Sequence, residues 1–113
     1  MGIYFDGNDS GEKVTLSNVD TVLNTGNGIN LVDAVDVSMS GIVSAANGDP
    51  THNSDGLYID SDGAGVVTIK NSTFISNFGS GVELVDVATF TPTKTVIFGN
   101  DIDGSGDDNL YEH

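Results

Sequence analysis

The chain has no cysteine. Disulfides, thiolate metal sites and cysteine nucleophiles are therefore excluded. It has no arginine either, and its three basic residues, Lys13, Lys70 and Lys94, stand against 17 acidic ones. The net charge of −14 repels nucleic acid and anionic membrane surfaces, because holding phosphates requires Lys or Arg to displace their counterions. Nucleic acid is thus not an expected partner. No apolar run is long enough to cross a membrane as a helix, and Met1-Gly2-Ile3-Tyr4-Phe5-Asp6 lacks the basic and apolar regions of a signal peptide. Membrane insertion is not expected. Charged residues make up only 18 %, too few for the high-charge, apolar-poor composition of a disordered chain. Helical periodicity is missing too: Val19-Asp20-Thr21-Val22-Leu23 comes nearest, and it is short.

What the chain does contain is a repeat. Residues 14–33 (VTLSNVDTVLNTGNGINLVD) and 67–86 (VTIKNSTFISNFGSGVELVD) align without a gap at an offset of 53. They share Val14/Val67, Thr15/Thr68, Asn18/Asn71, Asn24/Asn77, Gly26/Gly79, Gly28/Gly81 and Leu31/Leu84. A shorter anchor recurs more often. Gly2-Ile3-Tyr4-Phe5, Gly28-Ile29-Asn30-Leu31, Gly56-Leu57-Tyr58-Ile59, Gly81-Val82-Glu83-Leu84 and Asn109-Leu110-Tyr111-Glu112 follow one another at 26, 28, 25 and 28 residues. Each anchor alternates apolar and polar residues, the period of a strand with one buried face. Second β-branched runs follow at Val14–Leu16 and Val67–Ile69, and less clearly at Val35–Val37 and Val96–Phe98. Gly- and Asn-rich clusters at 6–11, 24–28, 47–56, 61–65, 77–81 and 100–109 read as the turns between them.

Strands recurring at this interval describe a parallel β-helix in which each coil is one rung. Inward ladders are expected along Ile3, Ile29, Leu57, Val82, Leu110 and along Phe5, Leu31, Ile59, Leu84. A polar stack is expected at Asn18, Asn71 and Asn100. The run Val67-x-Ile69-x-Asn71-x-x-Phe74-x-x-Asn77-x-x-x-Gly81-Val82 resembles the repeat of right-handed parallel β-helix proteins, the pectate-lyase-like superfamily. The resemblance covers the whole chain. It implies an all-β, right-handed, single-stranded parallel β-helix (solenoid) of about four coils, 25–28 residues each. It is specific for fold and not for function, since that superfamily includes polysaccharide lyases, hydrolases, epimerases, phage tailspikes and non-catalytic segments of surface proteins.

The 53-residue offset extends over 28–60 and 81–113, so the unit is a duplicated two-coil block: residues 2–55, residues 56–108, and a partial fifth coil at 109–113. The chain begins and ends on the strand after an anchor, without the polar caps a solenoid needs. A segment of a larger protein is expected, or a chain that associates end to end with itself.

Three catalytic readings compete with structural ones. Lyases of the resembled superfamily use Arg or Lys beside Ca²⁺, and here Arg is absent and Lys scattered. Asn53-Ser54-Asp55-Gly56 and Gly106-Asp107-Asp108 look like the carboxylate elements of polygalacturonases, but the duplication makes Asp55 and Asp108 equivalents at one turn, and the family's Gly-His-Gly and Arg-x-Lys are missing. Asp49-Pro50-Thr51-His52 is similar to the Asp-Pro-His element of alginate C5-epimerases, interrupted by Thr51. If the chain is part of an enzyme, Asp49, His52 and Asp55 are its candidates, with His52 the natural acid–base.

For metal, the carboxylate-rich, Gly-punctuated turns suit Ca²⁺, with Asp60, Asp62, Asp103, Asp107 and Asp108 as candidate ligands. Residues 103–111 resemble a single RTX nonapeptide; the alternative is that Asp and Asn stabilise turns through their own backbone. Finally, the anchors project Tyr4, Asn30, Tyr58, Glu83 and Tyr111 outward. A Tyr on every second rung could stack on alternate sugars of a polysaccharide, or pack across strands. The expectation is a non-catalytic scaffold or adhesive module of a secreted or cell-surface bacterial protein; the alternative is a fragment of a carbohydrate-active β-helix enzyme.

Overall fold

The computed structural model describes residues 1–8, 12–52, 54–101 and 109–113, and of residues 62–64 only the backbone. Among the described residues there are eleven strands and no helix. The first turn of the chain is β1 (Ile3–Asp6), β2 (Glu12–Ser17) and β3 (Asp20–Val22). The second is β4 (Ile29–Val32), β5 (Ala34–Ser40) and β6 (Val43–Ala45). In the third and fourth, one long strand runs through two sides: β7 (Leu57–Lys70) then β8 (Thr73–Ile75), and β9 (Val82–Thr93) then β10 (Val96–Phe98). A short β11 (Leu110–Glu112) follows. Every strand pair is parallel, and each turn stacks on the next, making a β-solenoid of about four turns.

The alternation seen in the anchors decides what lies inside. Ile3, Ile29, Leu57, Val82 and Leu110 are register partners, and so are Phe5, Leu31, Ile59, Leu84 and Glu112. A second side stacks Val14, Val37, Val67 and Phe90, then Leu16, Met39, Ile69 and Pro92. The middle turns are driest. Ile29, Leu31, Leu57, Ile59, Val67, Ile69 and Phe74 have no exposed surface, while Ile3, Phe5, Leu16, Phe90 and Ile97 of the outer turns are partly buried. Burying a side chain of that size contributes about 1.5–3 kcal/mol, so stability concentrates at mid-solenoid.

Corners form where the backbone turns left-handed. One is Asn18, Gly41, Asn71 and Lys94 (φ 54°, 66°, 50° and 48°); another is Leu23, Ala46, Ser76 and Gly99 (φ 60°, 53°, 59° and 66°). Asn and Gly adopt this conformation readily, whereas Leu23, Ala46 and Lys94 are strained there.

Three expectations are corrected. Val96–Phe98 does not stack on Val67–Ile69. It belongs to a four-stranded sheet, β10-β8-β6-β3, a third side whose strands are only three residues each. The stretch 61–65 is not a turn: it lies inside β7, where the pairing with β9 shifts register between Asp60 and Val66. The asparagine stack also differs. Asn18 and Asn71 are exposed corner residues, and the stacked amides are Asn24, Asn47, Asn77 and Asn100.

In that ladder Asn24 Nδ2 donates to Asn47 Oδ1 (2.9 Å), Asn47 Nδ2 to Asn77 Oδ1 (2.9 Å), and Asn77 Nδ2 to Asn100 Oδ1 (2.8 Å). Asn47 and Asn77 are fully buried, and each oxygen also accepts the backbone N–H of the preceding ladder residue. The ladder explains the anchor glycines. A Cβ on Gly56 would lie 2.6 Å from both Asn77 Nδ2 and Gly81 O, so the position has no room for a side chain.

Candidate functional site

Strand alternation sends every other anchor residue outward, and registry sets those residues side by side. Tyr4, Asn30, Tyr58, Glu83 and Tyr111 form one column across β1, β4, β7, β9 and β11. The three tyrosines stand two rungs apart, about 10 Å. Tyr4 is 57 % exposed, Tyr58 half-buried between Asn30 and Glu83, and Tyr111 exposed. Carboxylates flank them. Tyr4 Oη donates to Asp6 Oδ2 (3.3 Å), and the Asp6 charge, with smaller help from burial and Asp33, raises the Tyr4 pKa. Tyr58 is raised chiefly by burial and then by Asp60, Glu83 and Asp55. At the far end the His113 ring meets Tyr111 edge-on (4.4 Å) and holds Glu83 Oε1 at 2.7 Å. The face is a row of aromatic planes interleaved with hydrogen-bond acceptors. Such a row suits a long ligand with apolar faces and many hydroxyls.

The candidate acid–base residues form a small cluster in the loop after β6. Asp49 Oδ1 accepts from Thr51 N (2.8 Å), Thr51 Oγ1 (2.7 Å), His52 N (2.8 Å) and the His52 Nδ1 side (3.0 Å). The Thr51 hydroxyl and amide, followed by His52, hold the Asp49 carboxyl at a pKa of about 2. The His52 ring is 64 % exposed and oriented through Nδ1, which leaves Nε2 as its available nitrogen. Asp55 is not its partner. It is buried in the turn before β7, its N–H bonded to Asn27 Oδ1 (2.9 Å) and its Oδ1 accepting the N–H of Ser80 (2.8 Å). Asn27, Asp55 and Ser80 are equivalents on successive turns, so Asp55 is a link in a turn ladder. The structure therefore brings Asp49 and His52 together and ties Asp55 to the backbone.

Of the candidate metal ligands, Asp60 stands in a column between Val32 and Val85, Asp62 lies in β7 with its side chain undescribed, and Asp103, Asp107 and Asp108 fall outside the described residues. Among the described residues no three His, Cys, Asp or Glu side chains converge on a metal position.

Two further faces have no clear signal in the sequence. On the side formed by β2, β5, β7 and β9, Thr15, Ser38, Thr68 and Thr91 make a column of hydroxyls. Beside it runs a groove of about 270 Å³, lined by the next outward column, in which the Lys13–Asp36 ion pair (3.4 Å) is followed by Val66. On the third side Val22, Ala45, Ile75 and Phe98 form an outward apolar column, Phe98 67 % exposed. Each column needs one residue from each of four distant segments, and only the registry unites them. Compared with protein-family models, with curated proteins and with solved structures, the chain matches none.

Proposed function

We propose that this chain is a non-catalytic, carbohydrate-contacting module of a secreted or cell-surface bacterial protein, built on a right-handed β-helix of the pectate-lyase-like kind. The observation that carries the reading is the outward column Tyr4, Asn30, Tyr58, Glu83 and Tyr111. Rings about 10 Å apart can each stack on a sugar of an extended chain, every second residue of a β-linked glycan presenting the same face. Asp6 and Asp60, in a single column two residues along, would accept sugar hydroxyls and turn away uronates. The central ring is the one to test. Tyr58→Ala should weaken binding to a responsive glycan at least tenfold in isothermal titration while leaving the thermal melt nearly unchanged. An array of neutral polysaccharides with no signal, or full binding by Tyr58→Ala, would overturn the reading.

The enzymatic alternative draws support from the Asp49–His52 contact alone (3.0 Å). Glycoside hydrolysis needs a pair of carboxyl groups at the scissile bond, and Asp55 Oδ1 is engaged by the Ser80 amide. Loss of turnover on a polysaccharide in His52→Ala would establish it. Calcium would act through the turns, with Asp103, Asp107 and Asp108 supplying hard oxygen ligands.

A further inference from the structure

We propose that the anchor face binds a cationic glycan, a β-linked amino-sugar polymer whose ammonium groups pair with Asp6 and Asp60 while its rings lie on Tyr4 and Tyr58. The inference rests on the carbohydrate reading of the same face and adds the chemical class of the sugar. Strand registry builds two equivalent stations there. Tyr4 and Asp6 stand on β1 and Tyr58 and Asp60 on β7, with β4 between them carrying Asn30 and Val32 at the same positions. Each station sets a ring and a carboxylate about 7 Å apart along one face of a strand, and the stations repeat at about 10 Å. In the first, Tyr4 Oη reaches Asp6 Oδ2 (3.3 Å), so one ligand residue can meet both groups.

Charge on this face is of one sign. Asp6, Asp33, Asp60, Glu83 and Asp86 lie on the anchor strands or at the left-handed corner that follows them. The lysines lie elsewhere: Lys13 in β2 and Lys70 at the far end of β7, both on the second side, and Lys94 at the corner after β9. Both phenols feel the resulting field. Tyr4 is raised first by Asp6, and Tyr58, after burial, by Asp60, Glu83 and Asp55. A potential that opposes a phenolate favours an ammonium, and a cation over a Tyr face gains from the ring's quadrupole as well. Glu83 stands in the column of rings and holds His113 Nε2 (2.7 Å), so Asp6 and Asp60, in the neighbouring column, are the pair in phase with the rings. Between the stations Asn30 Oδ1 is enclosed and has no hydrogen-bond partner among the described residues. An unmade bond of that kind is costly, and a turn of the amide offers the oxygen to a donor lying across the two rings. An amino-sugar chain carries such donors on every residue. A lysine-rich peptide has the charge without the flat apolar faces, which is why the tyrosines favour the sugar.

The test is isothermal titration of the full chain at about pH 5, where the carboxylates stay ionised and the sugar amines protonated. The probes are a β-1,4-linked glucosamine hexamer, cellohexaose, which has a hydroxyl in place of each ammonium, and hexalysine. One exposed ion pair adds at most about fivefold, so two should make the glucosamine hexamer at least about tenfold tighter than cellohexaose in dilute buffer. In about 1 M NaCl, where screening reaches about 3 Å, the two hexamers should bind alike. Asp6→Asn combined with Asp60→Asn should remove the advantage in dilute buffer, and Tyr58→Ala should weaken the glucosamine hexamer at least tenfold. Equal binding of the two hexamers in dilute buffer would overturn the inference and leave the carbohydrate reading standing; no binding of either would overturn both. Hexalysine binding as tightly as the glucosamine hexamer, with Tyr58→Ala without effect, would also overturn the inference, because the face would then attract charge alone. Should the double variant lose its strand circular dichroism, the salt comparison on the unaltered chain decides, and an advantage that survives 1 M NaCl overturns the inference.

Discussion

Individual side chains here do two different kinds of work, distinguished by burial. Asn77 has no exposed surface: its oxygen accepts from Asn47 N and Asn47 Nδ2, and its amide donates to Ser44 O and Asn100 Oδ1. Asn77→Ala should leave the buried Asn47 backbone N–H without its acceptor, while Asn47 Nδ2 keeps Thr21 O and Ser44 Oγ, and should destabilise the fold by roughly 2–4 kcal/mol in urea unfolding. Asn71→Ala, at an exposed corner, should cost about 1–2 kcal/mol through its positive φ alone. Asp49 is a surface case with a pH signature. Its carboxyl pKa is depressed from 3.8 to about 2, so the ordering it provides is complete above the ordinary carboxylate value and is lost as pH falls through about 2. The amide resonances of Thr51 and His52 should therefore move together with a midpoint near pH 2, and in Asp49→Asn they should stay still.

At the scale of elements, the left-handed corners decide how the chain winds. Four turns place Leu, Ala, Ser and Gly at one corner, so a conformation natural to Gly is forced on Leu23 at φ 60°. The Leu23 side chain is 77 % exposed and contributes little packing in return. Leu23→Asn should raise stability by roughly 0.5–1 kcal/mol, seen as a rise of a few degrees in the calorimetric melt. The anchors Gly28-Ile29-Asn30-Leu31 and Gly56-Leu57-Tyr58-Ile59 were legible as strands because their inward and outward residues differ chemically, and the structure keeps every partner of those columns. The third side was not legible: three-residue strands such as Asp20–Val22 are too short to display a period.

For the whole molecule, the charge matters more than any single group. Seventeen acidic residues against three basic ones leave a surface that repels itself and weakens compact packing when salt is low. Two effects should separate on titration. Sodium chloride should raise the melting temperature by general screening, whereas the proposed calcium binding at the acidic turns should add a rise at millimolar CaCl₂ that equal ionic strength of NaCl does not reproduce and EDTA reverses. A melt indifferent to both CaCl₂ and EDTA would mean that the turns are stabilised by their own backbone contacts.

The sequence by itself determined the repeat, the parallel stacking, the two inward columns of the anchor side and the outward tyrosines, because strand alternation links adjacent residues directly to opposite faces. Only the tertiary structure decided which asparagines stack, that Asp55 is a turn link while Asp49 and His52 meet, and that Val22, Ala45, Ile75 and Phe98 share an outer face. Each left-handed corner resets the phase of alternation. Beyond a corner, whether a side chain points in or out depends on where the backbone bends, which repeating letters do not disclose.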